Sequence, residues 1–205
     1  FYVTSELGAL KQGYLMIVPK QHVLSVAQFN AVLMNEYEQV CQDLEYILQG
    51  AYPEASGVTF MEHGSGPSGI TSHKKSIVHA HTHVVTDFQL SGHHKRMVKL
   101  EPIDDITLAN KTHYFSYQEG SDGQLMICMD NNVYVQRQFP RQVMAEDLKL
   151  APGQYNWRKV GFEENVHATL FHVFNYLKNA ELPKRIADRT RGFVLGYAKR
   201  EEHEE

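Results

Sequence analysis

His79-Ala80-His81-Thr82-His83-Val84-Val85 sets three imidazoles at alternate positions in front of a β-branched pair. A β-strand repeats every two residues, so this spacing predicts three histidines leaving one face of one strand, about 6.6 Å apart. The strand is read as Ser76 to Val85. Imidazole acts as acid, base, nucleophile or ligand near neutral pH, so the row is where chemistry is expected.

Working outward, Tyr14 to Val18 is a short apolar run between Gly13 and Pro19 and reads as a buried strand. Phe29, Leu33, Tyr37, Val40, Leu44, Ile47 and Leu48 then recur at steps of three and four. They predict one long amphipathic helix, started by Ser25 or Asn30 and ended by Gly50 and Pro53. Val58 to Glu62 reads as a strand running into the loop His63-Gly64-Ser65-Gly66-Pro67-Ser68-Gly69. Three further strands are expected at Tyr114 to Gln118, Leu125 to Met129 and Val133 to Gln138, with turns at Ser121-Asp122-Gly123 and Asp130-Asn131-Asn132. Helices are expected from Gln142 to Leu148 and from Asn165 to Leu177, the second carrying Val166, Leu170, Val173, Phe174 and Leu177 on one side. A meander with one long and several terminal helices is an α+β fold.

Composition excludes several classes. The chain has 205 residues, of which 42% are hydrophobic and 21% charged, as in one folded domain with or without an extension. A net charge of −4 argues against a general nucleic-acid binder. No apolar run approaches the roughly 18 residues of a membrane span, and no signal peptide is read. Cys41 and Cys128 are too few for a disulfide framework, form no CxxC pair, and fit two half-buried thiols in a reducing, cytoplasmic compartment. The chain begins at Phe1 rather than Met, which leaves open that its natural start, with any targeting information, is missing.

Three functions for the histidine row stand open on spacing alone. Zinc–nitrogen bonds are about 2.0–2.1 Å, and three histidines spread over about 13 Å of straight strand converge poorly on one ion. A phosphate ester is a larger target: one imidazole attacks phosphorus while its neighbours bond the oxygens or the leaving group. A ring Nδ1–H on a carbonyl would hold the tautomer and leave Nε2 free to attack. Packing in the core or on the surface is the bland alternative, and burying three imidazoles without partners is costly.

The row closely resembles the H-φ-H-φ-H-φ-φ signature of the histidine-triad (HIT) superfamily of nucleotide hydrolases and transferases, with Thr82 where an apolar residue is usual. Gly13-Tyr14-Leu15-Met16-Ile17-Val18-Pro19-Lys20-Gln21-His22 is similar to that family's G-[HY]-φ-φ-φ-φ-P-K-x-H strand ahead of its long helix. Phe60-Met61-Glu62-His63-Gly64 is similar to the segment upstream of the triad, and Ser76 stands three residues before the first triad histidine. The resemblance covers roughly residues 1–90.

The resemblance implies a HIT-like antiparallel sheet and a nucleotidyl-histidine intermediate on the α-phosphate of a nucleoside phosphoramidate, dinucleoside polyphosphate or related conjugate. His81 would be the nucleophile, flanked by His79 and His83 as catalytic partners. Ser76 would donate to a phosphate oxygen or the leaving group, and His22 would lie behind the triad. Lys75, where many members carry Gln, reads either as a cation for a polyphosphate or, with Lys74, as a solvated pair. His63 is a further candidate for the nucleotide pocket. No metal or other cofactor is required, and a homodimer is implied by resemblance alone. A non-catalytic nucleotide sensor and a metal-dependent hydrolase are the competing functions.

Residues 1–140 are read as the HIT-like catalytic domain and 141–205 as a helical extension packed on it. Arg141 and Arg158 are candidates to close over substrate, and Trp157 to anchor the extension. His93-His94-Lys95-Arg96 reads as a solvated basic turn. Lys199 to Glu205 reads as a frayed, charged tail.

Overall fold

The computed structural model describes residues 1–66, 79–129 and 138–190. Among these the chain is α+β. Its strands are β1 (Tyr2–Ser5), β2 (Tyr14–Val18), β3 (Val58–Gly64), β4 (Thr82–Thr86), β5 (Glu101–Pro102), β6 (Tyr114–Glu119) and β7 (Met126–Cys128). They form one antiparallel sheet in the order β1-β2-β4-β3-β6-β7-β5. The helices are α1 (Ala31–Ala51), α2 (Gly92–Met97), α3 (Phe139–Asp147), α4 (Glu163–Asn179) and α5 (Lys184–Thr190).

Strand alternation sorts the core onto two faces. Leu15, Ile17, Phe60 and Val84 point to α1, where Val40, Leu44, Ile47 and Leu48 meet them. Tyr14, Met61, Val85, Phe115 and Tyr117 point the other way, against Val143 and Met144 of α3. Helix α4 belongs to both cores: Val166 and Leu170 pack on the α3 side, while Val173 and Leu177 pack on the α1 side. The segment beyond residue 140 therefore supplies part of the core.

The long helix starts where Asn30 caps it, its side chain accepting the Leu33 N–H at 2.9 Å. Gly50 does not end it. The helix continues to Ala51, and Gly50 lies against the ring of Tyr176, which an added Cβ would meet at 2.1 Å. Gly13 is required twice over: its φ is +74°, and a Cβ there would lie 1.9 Å from the Thr86 hydroxyl.

Several expectations change. β4 is shorter than the Ser76–Val85 strand, since residues 79–81 lie outside the ladder and 76–78 lie outside the described residues. Most of the expected Val133–Gln138 strand and its Asp130-Asn131-Asn132 turn also lie outside them, and Gln138 is the left-handed cap of α3. Phe174 is exposed and is no part of the core stripe of α4.

His93-His94-Lys95-Arg96 is not a solvated turn. It lies in α2, with His94 buried between Asp147 Oδ1 and Glu146 Oε2, each 2.9 Å from a ring nitrogen. Cys41 and Cys128 are both buried and free, and burial pushes the Cys41 thiol up to about 12. No helix among the described residues is long and apolar enough to cross a membrane.

Candidate active site

The histidines reach their places through backbone ties made at the start of β4. Ala80 N donates to Val23 O at 2.8 Å, which pins the approach to β4 beside the segment following Pro19. His79 occupies a bend, and its Nε2 donates to Pro19 O at 2.8 Å. His81 stands one residue before the ladder, and His83 lies within it, opposite Met16 on one side and Met61 on the other. The row is thus a bend-to-strand junction, with His81 and His83 on the sheet face that packs α3.

A carbonyl only accepts, so each short contact between a ring nitrogen and a carbonyl identifies a tautomer. His81 Nδ1 is 2.9 Å from His79 O and therefore carries the proton, leaving Nε2 with its lone pair. This is the arrangement that suits nucleophilic attack. The His83 ring lies 5.0 Å from that of His81, edge to face. Its Nδ1 is 2.8 Å from the Tyr14 hydroxyl. Burial lowers the pKa of His81, with the charge of His79 adding to it and the His79 carbonyl opposing. Burial lowers His83 further, helped by His81, Arg141 and His63. Both rings are therefore neutral at neutral pH.

His22 is exposed, and its ring meets that of His79 at 5.1 Å, nearly perpendicular. His63, half-buried in β3, would stand opposite His81 if the Met61–His83 register ran on by two residues. It is close enough to His83 to disfavour the charged form of that ring. The structure thus groups His22, His63, His79, His81 and His83. Ser76 and Lys75 lie outside the described residues. Among the described residues no three His, Cys, Asp or Glu side chains are placed to hold one metal ion.

Arg141 does not reach over the row. Its side chain is buried beneath the row in an ion pair with Glu6, with Nε donating to Tyr155 O and Nη2 to Gly8 O, each at 2.7 Å. Burial raises the Glu6 carboxyl to about 7 against the pull of Arg141. Arg158 is exposed and lies over the ring of Trp157, its guanidinium carbon 5.1 Å from the ring centre. Trp157 is half-buried, with its backbone and Cβ against Gly8.

Two partners escaped the sequence reading. Tyr14 reads there as one more apolar strand residue, and only its place in a G-[HY] motif beside a histidine row signals a polar task. Glu62 reads as a strand residue too, yet it is buried on the α1 face. It accepts Val26 N–H at 3.0 Å and the Tyr114 hydroxyl, and burial raises it to about 7.

A cavity of about 480 Å³ opens on that same α1 face, between Met34, Tyr37, Glu38, Phe60, Asp104 and Gln118. Thr82 lines it, its hydroxyl 3.0 Å from that of Tyr37, but none of the histidines does. The cavity and the histidine group therefore lie on opposite faces of one strand. No family model and no curated protein matches the chain.

Proposed function

We propose that the chain is a nucleotidyl hydrolase or transferase of the histidine-triad type, acting on the α-phosphate of a nucleoside phosphoramidate, dinucleoside polyphosphate or related conjugate. The single observation that carries this reading is the His81 Nδ1–His79 O bond of 2.9 Å, which presents an unprotonated Nε2 beside a second neutral imidazole. In this reading His81 Nε2 attacks phosphorus and the bond to the leaving group breaks. The resulting nucleotidyl-histidine is then resolved by water or an acceptor. His79 and His83 flank the phosphate, and backbone N–H groups near the row would hold its oxygens. Ser76 would donate to a phosphate oxygen or the leaving group and Lys75 would supply a cation for a polyphosphate, while His22 would lie behind the triad and His63 would join the pocket. No cofactor takes part, and the reading includes a cytoplasmic homodimer.

Quenching the chain with a nucleoside phosphoramidate or a dinucleoside polyphosphate should leave one nucleotidyl mass on the His81 peptide. His81→Ala should remove both adduct and turnover. Turnover by that variant would sink the reading. Saturable binding without turnover across the substrate panel would establish the sensor instead. Loss of turnover on thorough chelation would establish the metal-dependent hydrolase. The lowered pKa of His81 places the acid limb of turnover below its ordinary value, with activity present above that limb and lost as pH falls through it.

A further inference from the structure

We propose that Tyr14 and Arg141 are positioning residues for His83: the Tyr14 hydroxyl, its ring backed by Arg141 of α3, donates to His83 Nδ1, so that the imidazole presents Nε2–H on its other side. A guanidinium has five N–H donors and accepts nothing. The Arg141 guanidinium carbon lies 6.0 Å from the Tyr14 ring centre, and its Nε, Nη1 and Nη2 donate to Tyr155 O, Glu6 and Gly8 O. Arg141 therefore offers the buried phenol proton no acceptor, and a buried O–H left without one is costly. Among the described residues the acceptor within hydrogen-bond reach of that proton is His83 Nδ1, at 2.8 Å. With Nδ1 accepting, a neutral His83 carries its proton on Nε2.

The surroundings keep the unit in this state. Tyr14 is fully buried, and burial and the Glu6 carboxylate both hold it as the phenol rather than the phenolate. Arg141 is held by Glu6, Gly8 O and Tyr155 O, so its guanidinium has no freedom to turn away from Tyr14. The charged and titratable groups that act on His83 are His81, Arg141 and His63, and all three disfavour the imidazolium.

The consequence is a division of labour between two neutral rings. His81 offers a lone pair at Nε2, and His83 offers a proton at Nε2. An Nε2–H beside the nucleophile is a hydrogen-bond donor for a phosphoryl oxygen or a departing group, available without prior protonation. The residues that enforce it come from the N-terminal segment, β2 and α3, so α3 helps set the state of a histidine it does not carry. The catalytic consequence rests on the nucleotidyl-histidine reading, but the state of the His83 ring does not.

The experiment is side-chain 15N NMR of the full chain, labelled at histidine, at neutral pH. Native His83 should show a protonated Nε2 and an Nδ1 resonance displaced by an accepted hydrogen bond. Tyr14→Phe should move the Nδ1 resonance toward that of a bare nitrogen, and Arg141→Lys should move it part of the way. A native His83 protonated at Nδ1, or a Tyr14→Phe variant whose Nδ1 resonance stays put, would overturn the proposal. If Arg141→Lys does not fold, Tyr14→Phe decides alone.

In the adduct assay Tyr14→Phe should slow nucleotidyl transfer to His81 by about tenfold or more, with nucleotide affinity little changed. A native chain that forms no adduct but shows the Tyr14-dependent Nδ1 shift would retain the positioning unit and lose the nucleotide reading. An adduct formed at an unchanged rate by Tyr14→Phe would overturn the catalytic part of the proposal.

Discussion

Tyr14 and Tyr114 invite comparison. Both are buried strand tyrosines whose hydroxyls meet a buried titratable side chain, and burial holds both as phenols. Tyr114, on the α1 side, bonds Glu62 and accepts Ala27 N–H at 3.1 Å. Glu62 accepts the neighbouring Val26 N–H. That pair ties the 3-10 turn before α1 to the sheet by satisfying backbone donors that would otherwise be buried and unpaired. Tyr14, on the α3 side, bonds no backbone donor among the described residues. Its partner is a histidine at the edge of a group of five. The same phenol in the same degree of burial is thus an architectural tie on one face and a control on imidazole chemistry on the other.

Breaking each side should give opposite signatures. The largest effect is expected at His81→Ala, which should reduce turnover at least about a thousandfold. Thermal melting of the variant should shift by no more than a few degrees, because the ring is only half-buried at a strand end.

The next effect belongs to the α1 face and is one of stability. Glu62 has its folded pKa raised from 4.5 to about 7, so the native state binds more protons than the unfolded chain between those values. Its contribution is therefore full below about pH 4.5 and is lost as pH rises through 7, by up to about 3 kcal/mol. Urea denaturation across that window should show the decline, to which Glu6, also raised to about 7, adds its own share; Glu62→Gln should make the slope shallower while leaving adduct formation at His81 intact. A Glu62→Gln variant with the native pH slope would remove the distinction between the faces.

A smaller loss is expected where α1 meets α4. Gly50→Ala drives a methyl into the Tyr176 ring, and the overpacking should outweigh the gain in helix propensity by about 1–2 kcal/mol, read as a lower urea midpoint. Smallest is Asn30→Ala, which removes the α1 cap and should cost about 1 kcal/mol by the same measurement.

Much of the scaffold is legible in the sequence. The alternation in β2, β3 and β6 assigns their faces, and the three-four stripe of α1 names residues that all enter the α1-side core. Local periodicity suffices there because each element buries one face of itself. It fails at His79, where a two-residue period continues past the point at which the chain bends to meet Pro19 and Val23. It fails again at Gly50, whose lack of a side chain is explained by a tyrosine 126 residues further on. His94 reads as one of four exposed basic residues, because the carboxylates that bury it lie more than 50 residues away, on α3.

The candidate site divides in the same way. The sequence by itself determined that His81 and His83 share a face and that Tyr14 lies in a strand of its own, because side-chain direction follows from strand period; that this strand pairs with β4 was decided by the tertiary structure. Only the tertiary structure decided which nitrogen of each ring holds the proton. A tautomer is set by the donor or acceptor that the fold brings to the ring, and for His83 those groups are Tyr14, 69 residues away, and behind it Arg141, held by Glu6 at a separation of 135 residues.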